Sequence, residues 1–341
     1  MNTIKNFVLI LLIAFCYAVN AQSQKPKVWI YTDMSDKTIP GPNKEHTVND
    51  PDDISAMAAY LLMSNEFNTL EIVVASTHRK EHKTTPNQGE WADLLFGNAY
   101  QKDLKKLNKK LGGFQKKISF TQSCIKESAE HFNDNESYTD LSKYATVNSL
   151  IEIASKQMDT INVLCWGSLT EPAILVKHCM ETGKTDILKK LRFIAHWTNS
   201  SLHQGTPEHP WKVANCNEDI NACNYLKEQA FDNKIVYYEL GAIGQHGIVS
   251  GSQFGDEYYN KFKVSALGKI FAEGKYVQNG VDDSDAATYW TLLGKWGVNF
   301  NNLKSNGINS PEIEKANEKI FFENAKSIRE ELLRRIKIAQ K

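Results

Sequence analysis

The feature that most constrains the fold is an alternation of short apolar runs with segments whose apolar residues have helical spacing. Strand-like runs occupy residues 28–31, 70–75, 161–165, 191–197 and 235–239. Continuous apolar strands separated by helices are typical of a parallel sheet with both faces covered. We therefore predict an α/β fold, a single domain with a mostly parallel central sheet flanked by helices, over residues 22–341.

Residues 1–21 have the order of a cleavable export signal. Lys5 provides a positive charge, residues 7–17 are almost entirely apolar, and Val-Asn-Ala at 19–21 matches a signal peptidase site. The apolar run is too short to span a bilayer comfortably. We expect a secreted or periplasmic protein that has no membrane contact after cleavage.

Composition narrows the classes of partner. Hydrophobic residues make up 41% and charged residues 23% of the chain, and the net charge is +0. This is an ordinary globular composition, and it gives no electrostatic basis for binding a nucleic acid polymer. We expect a small-molecule ligand held by a local site, and the oligomeric state, a homo-oligomer included, stays open.

The cysteines predict neither a disulfide scaffold nor a zinc site. Five of the six follow residue 21, which is sparse for a disulfide-dependent fold, and none has zinc-ligand spacing. Cys216 and Cys223 are close in sequence, and whether they pair is left open.

Carboxylates gather where the first predicted strand ends and the next helix begins. Asp33 ends the strand, and Asp50, Asp52 and Asp53 precede the helix. Ligands of open parallel sheets bind beyond the carboxyl ends of the strands, and clustered carboxylates repel each other unless a cation neutralises them. Oxygen ligands favour Ca²⁺ over a transition metal. Helix capping would explain Asp52 and Asp53, but it gives no reason for Asp33.

These residues resemble a known family. Thr32-Asp33, then Asp50-Pro51-Asp52-Asp53 before an apolar helix, is similar to the N-terminal aspartate motif of the inosine–uridine-preferring nucleoside hydrolases. The likeness is closest to a secreted branch described as nucleoside hydrolase-like or cellulose-binding. It covers most of the mature chain and is specific in patches, at residues 28–77, 161–175, 214–230 and 280–293.

The resemblance implies a Ca²⁺ site and a sugar site. Asp33 would bind Ca²⁺ and act as the catalytic residue that activates the attacking water. The other implied metal ligands are Asp53, the backbone carbonyl of Thr170, and Asp285, with Asp283 as the alternative to Asp285. The predicted substrate-binding residues are Asp52 for ribose hydroxyls, Asp219 and Asn221 as a weak match to a Glu-x-Asn motif, and His196 and Trp197 near the end of a predicted strand.

Two departures from the family pattern bear on function. Residues 34–51 form a longer insertion than the three residues that the family usually has between its first aspartate and the aspartate pair. Ser284 stands where some members have a leaving-group histidine, so His196 and His203 are the candidate proton donors.

The leading hypothesis is an exported, Ca²⁺-dependent glycoside hydrolase that cleaves an N-glycosidic, ribosyl bond by a metal-activated water. Two alternatives remain. One is an O-glycoside hydrolase acting on polysaccharide-derived sugars, and the other is a non-catalytic, Ca²⁺-dependent carbohydrate-binding protein, since fold alone does not fix function.

Overall fold

The structure is a computed structural model that describes residues 25–38, 51–75, 87–125 and 130–340. The export signal predicted at residues 1–21 lies outside the described residues, and so do Asp50 and most of the 34–51 insertion. The structure therefore leaves these predictions as they stand.

A parallel sheet of six strands forms the centre, in the order β3-β2-β1-β4-β5-β6. Every neighbouring pair in it is parallel. This confirms the predicted α/β fold. The strands are β1 (Lys27–Thr32), β2 (Asn68–Val74), β3 (Phe120–Gln122), β4 (Ile161–Cys165), β5 (Leu191–Ala195) and β6 (Val236–Glu239).

Helices cover both faces of the sheet. In β1, Val28 and Ile30 point into one apolar core, and Trp29 and Tyr31 point into the other. The helices are α1 (Asp52–Met63), α2 (Gln88–Ala92), α3 (Asn98–Leu111), α4 (Ala145–Lys156), α5 (Thr170–Glu181), α6 (Thr185–Leu188), α7 (Ala214–Asn217), α8 (Ile220–Phe231), α9 (Gly255–Asn260), α10 (Ala266–Ala272), α11 (Ala287–Leu293) and α12 (Pro311–Gln340).

Alternation along β1 explains why its two faces serve different cores, because successive side chains of a strand point to opposite sides of the sheet. The core beneath Val28 and Ile30 includes residues of α1, α3, α10 and α12, and the core beneath Trp29 and Tyr31 includes residues of α4, α5 and α8. Because the strands are parallel, the carboxyl ends of β1, β4, β5 and β6 lie at one edge of the sheet.

A short antiparallel hairpin, β7 (Lys275–Val277) and β8 (Gly280–Asp282), stands apart from the main sheet. The long helix α12 begins at Pro311, and proline is favoured at the first position of a helix. Within the described residues, no helix combines the length and apolar character needed to cross a membrane.

Two details go beyond the sequence expectations. β5 ends at Ala195, so His196 and Trp197 lie just past the strand and not within it. Cys216 and Cys223 form a disulfide that joins α7 to α8. The pairing that sequence spacing left open is therefore present in the fold.

Candidate functional site

The junction of β1 and α1 brings two aspartates together. The side-chain hydroxyl of Thr32 donates to Oδ2 of Asp53. The backbone N–H of Asp33 donates to the same oxygen at 3.1 Å. Asp33 and Asp53 are each 1% exposed. The end of the strand and the start of the helix are thus fixed to each other through the Asp53 carboxylate.

The short helical turn at Ser284–Ala286 contacts Asp52 of α1 and contributes a further acid, Asp285. The hydroxyl of Ser284 donates to Oδ2 of Asp52 at 3.3 Å. The neighbouring Asp285 is buried, and its Oδ1 lies 3.9 Å from Nε2 of His196, the first residue after β5. These contacts, together with the chain links between Asp52 and Asp53 and between Ser284 and Asp285, connect five residues. We call Asp33, Asp52, Asp53, His196 and Asp285 the strand-end site.

The loop after β4 approaches this site through Gly167. A Cβ added to Gly167 would lie 2.6 Å from the Cβ of Asp33, closer than real Cβ contacts allow. Glycine is required here because the backbone passes directly against the aspartate. The same loop leads to Thr170, the first residue of α5. The predicted carbonyl ligand thus lies three residues from a direct contact with Asp33.

Asp219 and Asn221 both form hydrogen bonds within the protein. Asp219 caps α8 by accepting from the N–H of Ala222. Its Oδ2 also accepts from the Thr170 hydroxyl at 2.6 Å and from the N–H of Phe132 at 2.8 Å. The side-chain amide of Asn221 donates to the Phe132 carbonyl at 3.4 Å. These bonds organise α8 and the segment around Phe132, so the sugar-binding role of the pair stays a prediction.

Asn215 is a residue that the sequence analysis missed. Its Nδ2 donates to the carbonyl of His196 at 3.0 Å and to that of Trp166 at 3.3 Å. It therefore joins the ends of β5 and β4 beside the strand-end site, and it is only 7% exposed. The available signal was its place in the 214–230 patch, six residues before Asn221.

Trp197 is held in a strained conformation next to His196. Its φ is 46°, in the left-handed region that a bulky side chain rarely adopts. Its N–H donates to the carbonyl of Gly241 at 3.1 Å. Glu239 supports the same turn by accepting from the N–H of Thr198 at 3.3 Å and of Gly241 at 2.8 Å. Burial raises the pKa of Glu239 to about 7.

The two candidate histidines have different neighbours. His203 stacks on His246 with ring centroids 3.4 Å apart, and its Nε2 lies 2.7 Å from Oε1 of Glu318 on α12. Burial lowers the pKa of His203. His196 lies against Asp285. The geometry therefore favours His196 over His203 as a group that acts at the strand-end site.

The structure also separates Asp283 from Asp285. The guanidinium of Arg329 donates to both carboxylate oxygens of Asp283, at 2.7 and 2.6 Å. Both side chains are fully buried. Asp283 is thus neutralised within the fold, which favours Asp285 as the late acid of the site.

The donor chemistry fits a hard cation. Asp33, Asp53 and Asp285 are at most 2% exposed and offer oxygen atoms, which suit Ca²⁺. Within the described part of the chain, no group of three or more His, Cys, Asp or Glu side chains has the arrangement of a metal site. A calcium role for these residues is therefore a proposal.

Comparison with known proteins decides the family. The model of the family described as "Cellulose-binding Sde182, nucleoside hydrolase-like domain" matches residues 46–307. This chain belongs to that family. A search of curated proteins found no match.

Two solved structures resemble this chain to different extents. A nucleoside hydrolase-related protein from Saccharophagus degradans, associated with carbohydrate metabolism, has a TM-score of 0.62 and 17% identity, over 93% of this chain and 72% of that one. The inosine–uridine-preferring nucleoside hydrolase of Bacillus anthracis has a TM-score of 0.43 and 14% identity, over 79% and 82% of the two chains. The first of these shows that the nucleoside hydrolase-like fold extends over nearly the whole chain.

Proposed function

We propose that this protein is an exported, calcium-dependent hydrolase that cleaves the N-glycosidic bond of a ribosyl compound. The observation that carries the proposal is that the Asp33–Asp53, Asp52–Ser284 and Asp285–His196 contacts, joined by neighbouring residues of the chain, lie at the carboxyl edge of the sheet. Such a reaction requires a proton acceptor for the attacking water and a proton donor for the leaving group, and buried acids and a histidine at this edge can supply both.

Asp33, Asp53, Asp285 and the backbone carbonyl of Thr170 would hold the ion. Calcium, when bound, supplies positive charge that offsets the clustered carboxylates and makes a nearby water more acidic. Asp33 accepts the proton of the attacking water. Asp33 packs against Gly167 at the strand end, and this contact helps to position the carboxylate.

The sugar and the leaving group are assigned to the other residues. Asp52 accepts hydrogen bonds from sugar hydroxyls, and Trp197 offers an aromatic face to the sugar or base. His196 donates the proton to the leaving nitrogen, because it is the histidine that lies against Asp285. Asn215 holds the carbonyl of His196 and so orients this donor.

The test is a screen of purified protein against nucleosides and aryl glycosides, in Ca²⁺ and in EGTA. We expect release of a base from at least one nucleoside in Ca²⁺ and its loss in EGTA. Ca²⁺ at a hundredfold excess over its Kd should raise the free energy of unfolding by about 2.7 kcal/mol. Identical melts in Ca²⁺ and EGTA, with no metal in elemental analysis, would exclude the ion.

Two other outcomes of the same screen would replace this proposal. Hydrolysis of aryl glycosides but not of nucleosides would assign an O-glycoside hydrolase. The family's printed description as cellulose-binding, together with Ser284 in place of a histidine, supports a carbohydrate-binding protein without turnover. Ca²⁺-dependent sugar binding with no product in any assay would establish that second alternative.

Export is part of the proposal and has its own test. The charged, apolar and small-residue order of residues 1–21 supports cleavage near Gln22. Intact-mass measurement of the protein from its native host should show a chain that begins there. Retention of Met1 on the exported species would contradict it.

A further inference from the structure

The β7–β8 hairpin places a lysine beside Asp52. Lys275 is the first residue of β7 and pairs with Asp282 of β8. The preceding Gly274 packs directly on α1, where an added Cβ would lie 1.9 Å from Oγ of Ser55. This close approach fixes the base of the hairpin against the helix that begins at Asp52. Lys275 is therefore placed by the backbone, not only by its own flexible side chain.

The ammonium of Lys275 bridges two carboxylates of unequal exposure. Its Nζ lies 3.4 Å from Oδ1 of Asp52 and 3.3 Å from Oδ2 of Asp282. The Lys275 side chain is 37% exposed, against 11% for Asp52 and 0% for Asp282. Solvent thus reaches the lysine and, to a small extent, Asp52, whereas Asp282 is enclosed.

Asp282 binds the Lys275 ammonium from the buried side. With its amide nitrogen facing Asp282, the Gln245 side chain also donates to the two carboxylate oxygens of Asp282, at 3.0 and 3.2 Å. The group of Lys275, Asp52 and Asp282 has a formal net charge of −1. It therefore gives a phosphate or carboxylate no net attraction of its own, and a neutral ligand suits it better.

We propose that Lys275 and Asp52 form one subsite for a hydroxyl of a neutral sugar. The carboxylate of Asp52 accepts the hydroxyl proton, and the ammonium of Lys275 donates to the hydroxyl oxygen. A hydroxyl group has both capacities, and hydrogen bonds to charged partners are the stronger kind. The proposal rests on the assignment of Asp52 to sugar hydroxyls, and it narrows the ligand class to uncharged glycosides with a free hydroxyl at this point.

The experiment is calorimetric binding of three probes: methyl β-D-ribofuranoside and its 2-deoxy and 3-deoxy analogues, all in Ca²⁺. Wild type is compared with Lys275→Met, Lys275→Arg and the matched control Lys234→Met. Lys234 forms a similar ion pair with Asp232 at 2.9 Å and is 47% exposed. Melting curves for each variant verify that the hairpin change leaves the fold intact.

Lys275→Met should weaken binding of the riboside by roughly 10- to 100-fold, the usual range for a lost hydrogen bond to a charged group. It should leave the binding of one deoxy analogue, the one that lacks the paired hydroxyl, unchanged. Lys275→Arg should restore part of the affinity, and Lys234→Met should behave as wild type. This hydroxyl-specific pattern is one that a merely structural lysine would not produce.

The inference and the proposed function fail in different ways. Equal loss for all three probes, or no loss, overturns the subsite while leaving hydrolysis of nucleosides to stand. The hydroxyl-specific pattern without turnover of any nucleoside upholds the subsite and overturns the hydrolase. A wild-type protein that binds none of the three probes overturns both.

Discussion

Asp283 and Asp285 are two residues apart and almost equally buried, yet the fold treats them differently. Asp283 receives a bidentate bond from the fully buried guanidinium of Arg329 on α12. Asp285 lies 3.9 Å from His196, a side chain whose charge depends on pH. The first region is a permanent ion pair inside the protein, and the second belongs to the strand-end site at the carboxyl edge of the sheet.

The difference shows how burial alone misleads. Removing a carboxylate from water is unfavourable in both places, and only a partner of opposite charge, or a shifted protonation state, offsets it. Where the partner is a built-in arginine, the acid stabilises the specific packing of α12 on the β8 turn. Where the neighbours are further acids and a histidine, the same burial is what the proposed ion and substrate site requires.

The largest effect is expected from breaking the ion pair. Arg329→Met leaves Asp283 buried without its guanidinium, and this should lower the free energy of unfolding by about 3–5 kcal/mol. The control is Arg334→Met, since Arg334 pairs with Glu331 at the surface and is 49% exposed. That change should cost less than about 1 kcal/mol. Urea unfolding measures both, and similar losses for the two variants would contradict the comparison.

The next largest effect is expected at a third buried acid, Glu239. It is fully buried, and burial raises its pKa to about 7 from a usual 4.5, although Lys227 acts in the opposite direction. An acid whose folded pKa is raised binds its proton more tightly when folded, so its contribution to stability is full below pH 4.5 and is lost as the pH rises to 7. The loss is about 3 kcal/mol at most.

Glu239→Gln should therefore remove about this much of the fall in stability between pH 4.5 and 7. Burial lowers the pKa of Lys227 to about 8, and that group acts only above this window. Glu330→Gln, at an exposed ion pair with Lys326, is the control and should leave the pH profile unchanged. Parallel profiles for wild type and Glu239→Gln would show that Glu239 does not titrate in this range.

The strands were predictable where they are buried on both faces. Ile161–Cys165 was predicted and found with the same bounds. A short, continuous apolar run is typical of a strand that is buried on both faces of a sheet. Phe120–Gln122 and the β7–β8 hairpin were missed, since three-residue strands leave no periodic pattern to read.

The partners of the acids were not predictable in the same way. Nothing near Asp283 in sequence indicates Arg329, which reaches it from helix α12, 46 residues later. Asp219 likewise fits a sugar-binding motif locally, but its bonds to Thr170 and Phe132 come from distant segments. Local sequence identifies which residues carry charge, whereas their roles depend on contacts made only in the folded chain.

Asp33→Asn tests the strand-end site directly. The substitution keeps the volume and one oxygen but removes the charge and the proton acceptor. We expect kcat to fall by at least ~10²-fold on the nucleoside identified by the screen, with weaker Ca²⁺ binding and an intact fold. Asp186→Asn, at an exposed ion pair with Lys189, should be silent. A near-normal kcat for Asp33→Asn would refute the mechanism assigned to this residue.

The smallest effect is expected from Asp52→Asn, on the other side of the same junction. Asp52 accepts from Ser284 and lies beside Lys275, and we have proposed that its carboxylate binds the sugar. The amide still accepts a hydrogen bond from a sugar hydroxyl but loses the charge that strengthens it, and kcat/KM should fall by about 10-fold. Ca²⁺ affinity, measured by calorimetry on the same preparation, should change little. Asp33→Asn is expected to weaken Ca²⁺ binding. If Asp52→Asn weakened it to a similar extent or abolished it, Asp52 would have to be reassigned from the sugar to the ion.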